Sequence, residues 1–332
     1  MVKTIYIEND IRDHPRTLEI LKRFRNASQI FCERYTEVFN RKSQNFRLQK
    51  TQPALILARK FKHHVLPVPE KYALGAEHNY YFSHMLNCIY DCRYCFLQGM
   101  FRSAHYVLFV NYEDYIDEIN GIIHSNNNES LCFFSGYDCD SLAMEPLTRF
   151  CEYFLPFFEK NPAVILELRT KSTQIRSLLA RKSVNNCIIA YSFTPEKIAM
   201  ALEHKTPAIE NRITAITRLQ EKGWLIGLRF DPLIFDDNYK TDYANLFKSI
   251  FDRIDLAGLH SVSLGSFRLP RDYYRKIRQL YPEELLFASP LEEINGLISY
   301  TQVLQSELLS YCSDKILTYI PHDKFFPCHD RV

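Results

Sequence analysis

Residues 80–99 read Tyr-Tyr-Phe-Ser-His-Met-Leu-Asn-Cys-Ile-Tyr-Asp-Cys-Arg-Tyr-Cys-Phe-Leu-Gln-Gly. An apolar, aromatic run leads into Cys88, Cys92 and Cys95, spaced C-x3-C-x2-C, with Tyr94 and Phe96 on either side of the last. A strand ending in a short loop brings three thiolates round one face of a metal cluster. A cubane iron–sulfur cluster normally takes four cysteines. Three close ligands leave one iron open, and an open position is where a bound metal does chemistry. The rival is structural zinc with His84 as fourth ligand, since residues 84 and 88 share a strand face. Zinc modules usually bring their ligands in two short pairs. No second C-x2-C pair exists, and the other Cys-His doublet, Cys328-His329, lies in the C-terminal tail. Spacing and strand context favour the cluster.

Outward from this stretch, strands and helices alternate. Strand candidates are 80–88, 131–136, 164–168 continuing to 171, 187–193, 225–231 and 260–268, several of them near-continuous apolar runs as in buried parallel strands. Helical spacing marks 112–123, 145–158, 173–181, 208–222 and 239–253, and the segments 272–280 and 291–311 close the chain. Six such units are fewer than the eight of a closed barrel. The fold expected is α/β, a partial (βα)6 barrel. Chemistry in such folds collects at the C-terminal ends of the strands, where the cysteines fall. Ahead of the barrel, 3–8, 14–24 and 29–35 read as strand, helix and strand. The expected units are a small N-terminal β-α-β unit (1–45), a basic connector (46–77) and the barrel with a C-terminal cap (78–332).

A net charge of +2 gives no global attraction to a polyanion, so any such site must be local. The stretch 41–62 holds Arg41, Lys42, Arg47, Lys50, Arg59, Lys60 and Lys62 with no acid, either a solvated surface or a phosphate-contacting patch. The 21 Tyr and 24 Phe fill a core and can also stack on nucleobases. The charged N-terminus is unlike a signal peptide, and no apolar stretch is long enough to span a bilayer. A cytoplasmic protein with no membrane partner is expected. In a reducing compartment ten cysteines do not form a disulfide framework. Clustered ones read as metal-binding, and Cys32, Cys132, Cys151 and Cys187 read as core.

Cys-Ile-Tyr-Asp-Cys-Arg-Tyr-Cys followed by Phe96-Leu97-Gln98 resembles the motif of radical S-adenosylmethionine enzymes, and more narrowly the spore photoproduct lyase family. The likeness extends to Thr170-Lys171, to Ser192-Phe193-Thr194-Pro195-Glu196, to Glu203-His204-Lys205-Thr206-Pro207 with Glu210-Asn211-Arg212-Ile213, and to residues 263–268, Ser-Leu-Gly-Ser-Phe-Arg. The resemblance implies a [4Fe-4S] cluster on Cys88, Cys92 and Cys95 with S-adenosyl-L-methionine at the open iron. One electron, from a donor such as a flavodoxin or ferredoxin, then releases a 5′-deoxyadenosyl radical. In these lyases the radical takes a hydrogen from a methylene-linked thymine dimer in DNA, the linking C–C bond breaks, and a cysteine quenches the product radical.

Carried over residue by residue, Ser135 and Gly136 hold the amino group of S-adenosylmethionine. Ser192 contacts its carboxylate or ribose, and Lys171 neutralises the carboxylate or is an ordinary strand-end lysine. Tyr94 is a radical relay or a packing residue, while Phe96 lacks the hydroxyl that family members tend to carry there. Tyr137 falls at the hydrogen-donor position with Cys139 two residues later, so either Cys139 takes over the role or the donor is absent. Asp138 and Asp140 should raise the Cys139 thiol pKa. Arg268, and Arg229 with Asp231, face the expected active-site rim, where they contact substrate phosphates or form an internal ion pair, and of these Arg268 is the expected substrate contact. Three readings follow: a lyase repairing cross-linked thymines, a relative using the same radical on another substrate, or a metal-bearing nucleic-acid-binding module without radical chemistry.

Overall fold

Six apolar runs become six parallel strands: His78–Phe82, Leu131–Ser135, Val164–Thr170, Cys187–Ser192, Leu225–Leu233 and Leu259–Ser266, called here the first to sixth barrel strands. They lie side by side in chain order in the computed structural model, which describes residues 2–68, 76–126 and 129–327. Unreversed strand order with connecting helices is the plan of a partial barrel; a doubly wound sheet would switch direction partway. Phe325–Pro327 extends the sheet beyond the sixth strand in parallel, and Val65–Pro67 adds an antiparallel edge before the first. The second and fourth strands are buried at every residue, which is why their sequences do not alternate. Helices Tyr112–Ser125, Phe150–Glu159, Ile209–Gln220 and Tyr239–Phe251 supply buried residues against the strands.

The N-terminal β-α-β unit forms as expected, with Thr4–Glu8 and Ser28–Cys32 parallel and helix Pro15–Arg23 between them. It is part of a larger sheet ordered Ser28–Cys32, Thr4–Glu8, Leu55–Ala58, Tyr106–Phe109, Met85–Leu86. The two strands from 55–58 and 106–109 are absent from the sequence reading. Each is four residues long and fully buried, so neither alternation nor length distinguishes it. Leu55–Ala58 also lies inside the stretch read as a basic connector. Arg16 ties this sheet to the barrel: its guanidinium sits 4.1 Å from the ring centres of both Tyr112 and Tyr153 and meets Glu113 at 2.9 Å.

Other segments differ from expectation. The helix expected over 173–181 shortens to Arg176–Leu179. The segment 291–311 opens with a hairpin, Leu291–Ile294 and Leu297–Tyr300, before helix Gln302–Leu317. Its turn, Asn295-Gly296, has φ of 52° and 77°, the backbone that a two-residue hairpin demands and that Asn-Gly readily supplies. Cys328-His329 lies outside the described residues. No helix among the described residues is long and apolar enough to cross a membrane.

Candidate active site

The chain leaves the first strand, makes the short strand Met85–Leu86, and turns at Asn87, which takes φ of 67°. The Asn87 amide donates to the carbonyls of Ser103 (2.8 Å) and His105 (2.7 Å), which fixes the turn that presents Cys88. Cys88, Cys92 and Cys95 then line one cavity of about 560 Å³ at the C-terminal ends of the barrel strands. The Tyr90 amide donates to Cys88 Sγ at 3.4 Å. Burial pushes all three thiols up; Lys171 pulls Cys92 and Cys95 back down, and Lys50 adds to this at Cys95. Three thiols, Cys92 buried and Cys88 and Cys95 half-buried, with an amide and two ammonium groups nearby suit a thiolate-bound cluster, whose negative charge those groups offset. Among the described residues no three His, Cys, Asp or Glu side chains form a ready-made metal site without the metal. His84 does not join the cysteines. It is buried on the Phe150 ring (4.5 Å) and that burial lowers its pKa to about 3, so it packs in an aromatic core.

A second chain segment braces the cysteine loop from behind. Glu203-His204 pairs antiparallel with Asp91-Cys92. The Glu203 carboxylate is fully buried and accepts bonds from Tyr94 Oη, Thr194 Oγ1 (2.9 Å) and Arg212 Nη2 (2.6 Å). Burial alone would raise the Glu203 carboxyl, but Lys171 and Arg212 outweigh it and hold it ionised. Lys171 is 3.9 Å from Glu203 and 5.5 Å from the Tyr94 ring centre, and it lines the cavity. It is therefore not a strand-end surface lysine. Asp140 accepts four bonds, from Thr170 Oγ1 and the amides of Lys171, Leu142 and Ala143, and so fixes the loops after the second and third strands.

Gly136 and Ser192 also line the cavity. Gly136 has φ of 82°, and a Cβ there would stand 2.5 Å from Ser141 Oγ, so no other residue fits. The Ser135 hydroxyl is buried and lacks a partner among the described residues. Tyr137 is 38% exposed, with its ring 5.5 Å from Phe96 and 4.3 Å from Tyr81. Cys139 is buried, and the Met85 amide donates to its thiol. Burial, then Asp138 and Asp140, push that thiol well up, as expected. Arg268 lines the cavity in an ion pair with Asp231 at 3.2 Å. Arg229 does not reach the rim. It is 1% exposed and bound to Glu167 at 2.6 Å inside the sheet.

Phe46, Lys50, Gln98 and Tyr273 line the cavity although the sequence reading assigned them no role there. Lys50 pairs with Asp91 at 3.3 Å, and Asp91 sits between the cysteines, so this one basic residue of the 41–62 stretch belongs to the site. Cys32, Cys132, Cys151 and Cys187 are buried, as expected of core residues.

The spore photoproduct lyase family model matches residues 2–288. The chain is similar to the spore photoproduct lyase of Clostridium acetobutylicum, 24% identical over 63% of this chain and 62% of that protein. It is also similar to the Bacillus subtilis lyase, 22% identical over 60% of this chain and 59% of that one. The matches thus span about three fifths of these relatives. A spore photoproduct lyase mutant solved with AdoMet and dinucleoside spore photoproduct superposes with a TM-score of 0.86 at 18% identity, over 99% of this chain and 98% of that one. Another, complexed with dinucleoside spore photoproduct, gives 0.85 at 17%, with the same coverage. The agreement establishes the partial-barrel fold from end to end. With the family match running through the cysteine loop and all six barrel strands, this chain belongs to the spore photoproduct lyase family.

Proposed function

We propose that the chain is a radical S-adenosylmethionine lyase acting on a methylene-linked thymine dimer in DNA. The observation that carries this reading is the convergence of Cys88, Cys92 and Cys95 with Gly136, Lys171, Ser192 and Arg268 on one cavity. Cys88, Cys92 and Cys95 would hold a [4Fe-4S] cluster, which would supply one-electron cleavage of bound S-adenosylmethionine to a 5′-deoxyadenosyl radical. Lys171 is the cation for the methionine carboxylate, and Gly136 admits the amino group to backbone acceptors. Ser192 orients the same ligand. Arg268, held by Asp231, takes the substrate. Phe46, Leu97 and Tyr273 add apolar wall that keeps water from a reactive carbon radical.

Hydrogen return is assigned to Tyr137 rather than Cys139. Tyr137 falls at the family's donor position and is 38% exposed, with its ring beside Phe96, whereas Cys139, which lines the same cavity, is buried with its sulfur accepting from the Met85 amide. The phenol gives a hydrogen atom to the substrate carbon radical and becomes a phenoxyl. The low-potential one-electron donor, a flavodoxin- or ferredoxin-type protein, restores it with one electron and a solvent proton. This altered terminus also favours a second reading, the same radical start on another substrate.

The deciding experiment incubates reduced, anaerobically reconstituted protein with S-adenosylmethionine and dinucleoside spore photoproduct. Two molecules of thymidine per dimer are the expected product. 5′-Deoxyadenosine without dimer cleavage would select the second reading, and a colourless protein holding one zinc would remove both.

A further inference from the structure

The short sheet made by Arg268–Pro270, Leu297–Tyr300 and Leu291–Ile294 contributes residues to two separate concave regions. Pro270 pairs with Leu297, and both line the active cavity. On the next rung Leu269, which also lines the cavity, pairs with Ile298, and Ile298 pairs with Glu293. Ile298 and Glu293 line a separate groove of about 500 Å³. Helix Arg271–Leu280 divides in the same manner: Tyr273 lines the cavity, and Tyr274 lines the groove.

The groove is basic. Arg271, Arg275 and Arg278 lie along one side of the helix, at the i, i+4 and i+7 positions that share a face. Glu293 is the one acid among the groove residues, and it is taken by Arg271 at 3.1 Å. Arg275 and Arg278 are exposed and make no ion pair or hydrogen bond with any described residue. Two unneutralised guanidinium groups in a concave trough, one short sheet away from the substrate cavity, suit a chain of phosphates more than a single anion.

We propose that this groove carries the phosphate backbone of the nucleic-acid strand flanking the lesion, without reading its sequence. The proposal rests on the DNA reading of the cavity. A packed layer is about 10 Å thick, which about three nucleotides of stacked strand span at 3.4 Å each. A dinucleotide seated in the cavity therefore falls short of the groove, and an oligonucleotide of twelve reaches it.

The test uses full-length reconstituted protein under anaerobic conditions and measures binding of a fluorescent twelve-nucleotide thymine strand and of thymidylyl-thymidine across a salt series. In the Arg275→Gln/Arg278→Gln variant, twelve-mer affinity at low salt should fall about tenfold, and the slope of log K against log salt should flatten by about 1.4, two phosphates' worth for a single strand. Dinucleotide affinity should change less than twofold, and the melting temperature should hold. An unchanged twelve-mer slope overturns the proposal while leaving the functional reading intact. Equal losses for both ligands overturn it too, because the arginines would then act through the cavity. Slower cluster reduction by an acidic flavodoxin-type protein, with twelve-mer binding intact, reassigns the groove to a protein partner. Failure of the unaltered protein to bind either ligand overturns this proposal and the DNA reading together.

Discussion

Glu203 and Arg212 meet at 2.6 Å with both side chains wholly withdrawn from solvent. The same carboxylate holds Tyr94 Oη, and its backbone pairs with Cys92, so one buried ion pair sets the back wall of the cysteine loop. Replacing Glu203 with Ala strands a buried guanidinium, which costs about 3–5 kcal/mol. The metal-free variant should melt well below the parent protein. After reconstitution it should hold less iron than the parent at equal protein, as read by iron assay and visible absorbance. Full iron content together with an unchanged melting temperature would show that the loop does not depend on this brace.

Gly99 ends the cysteine segment where helix Arg271–Leu280 crosses it. A Cβ at Gly99 would lie 2.6 Å from the Tyr273 carbonyl oxygen and 2.8 Å from its Cα, both backbone atoms that cannot swing aside. Gly99→Ala should therefore destabilise by about 1–3 kcal/mol and move Tyr273 at the cavity wall. Denaturant unfolding checks the first effect, and S-adenosylmethionine affinity the second.

Glu145 is a buried carboxylate away from the cavity. Burial lifts its pKa from 4.5 to about 7, although the Cys151 amide bonds to it. Since the folded pKa lies above the unfolded one, this group's stabilising contribution is fully present below pH 4.5 and is lost as pH rises to about 7. Above pH 7 the loss is constant, at about 3 kcal/mol. Glu145→Gln should be the more stable protein at pH 8 and should flatten the stability profile between pH 5 and 7. A parallel profile for the two proteins would contradict this.

The hydrogen-return assignment separates two variants. Cys139→Ala should leave the thymine product unchanged, whereas Tyr137→Phe, which keeps the ring contacts with Phe96 and Tyr81, should still consume S-adenosylmethionine but divert product to adducts. In D2O the parent enzyme should place one deuterium in the product methyl group, because a phenol exchanges with solvent. Diverted product from the cysteine variant alone would return the role to Cys139.

Much of this site was legible in the residues around Cys95. The thiol spacing and the six apolar strands are local patterns, and hydrophobic periodicity and short-range spacing report local structure directly. Lys171 and Ser192 came from the family resemblance, and Ser135, expected with them, is not among the cavity-lining residues. The resemblance added Glu203 and Arg212 as motif residues without a role. Their role depends on a hairpin-like meeting of residues 91–92 with 203–204, more than a hundred positions apart, and no local pattern encodes that pairing. The same reason hid Leu55–Ala58 and Tyr106–Phe109, whose burial comes from neighbours brought by the chain's return. Arg229 and Arg268 lie near the ends of adjacent strands with equal claims in sequence, yet one meets Glu167 inside the sheet and the other meets Asp231 at the cavity. Spacing thus marked a three-thiolate metal site beside a series of buried strands, and the family resemblance implied the chemistry expected there. Which side chains face that chemistry was decided by tertiary structure, because strand register and ion-pair choice are settled only when distant segments compete for the same buried space.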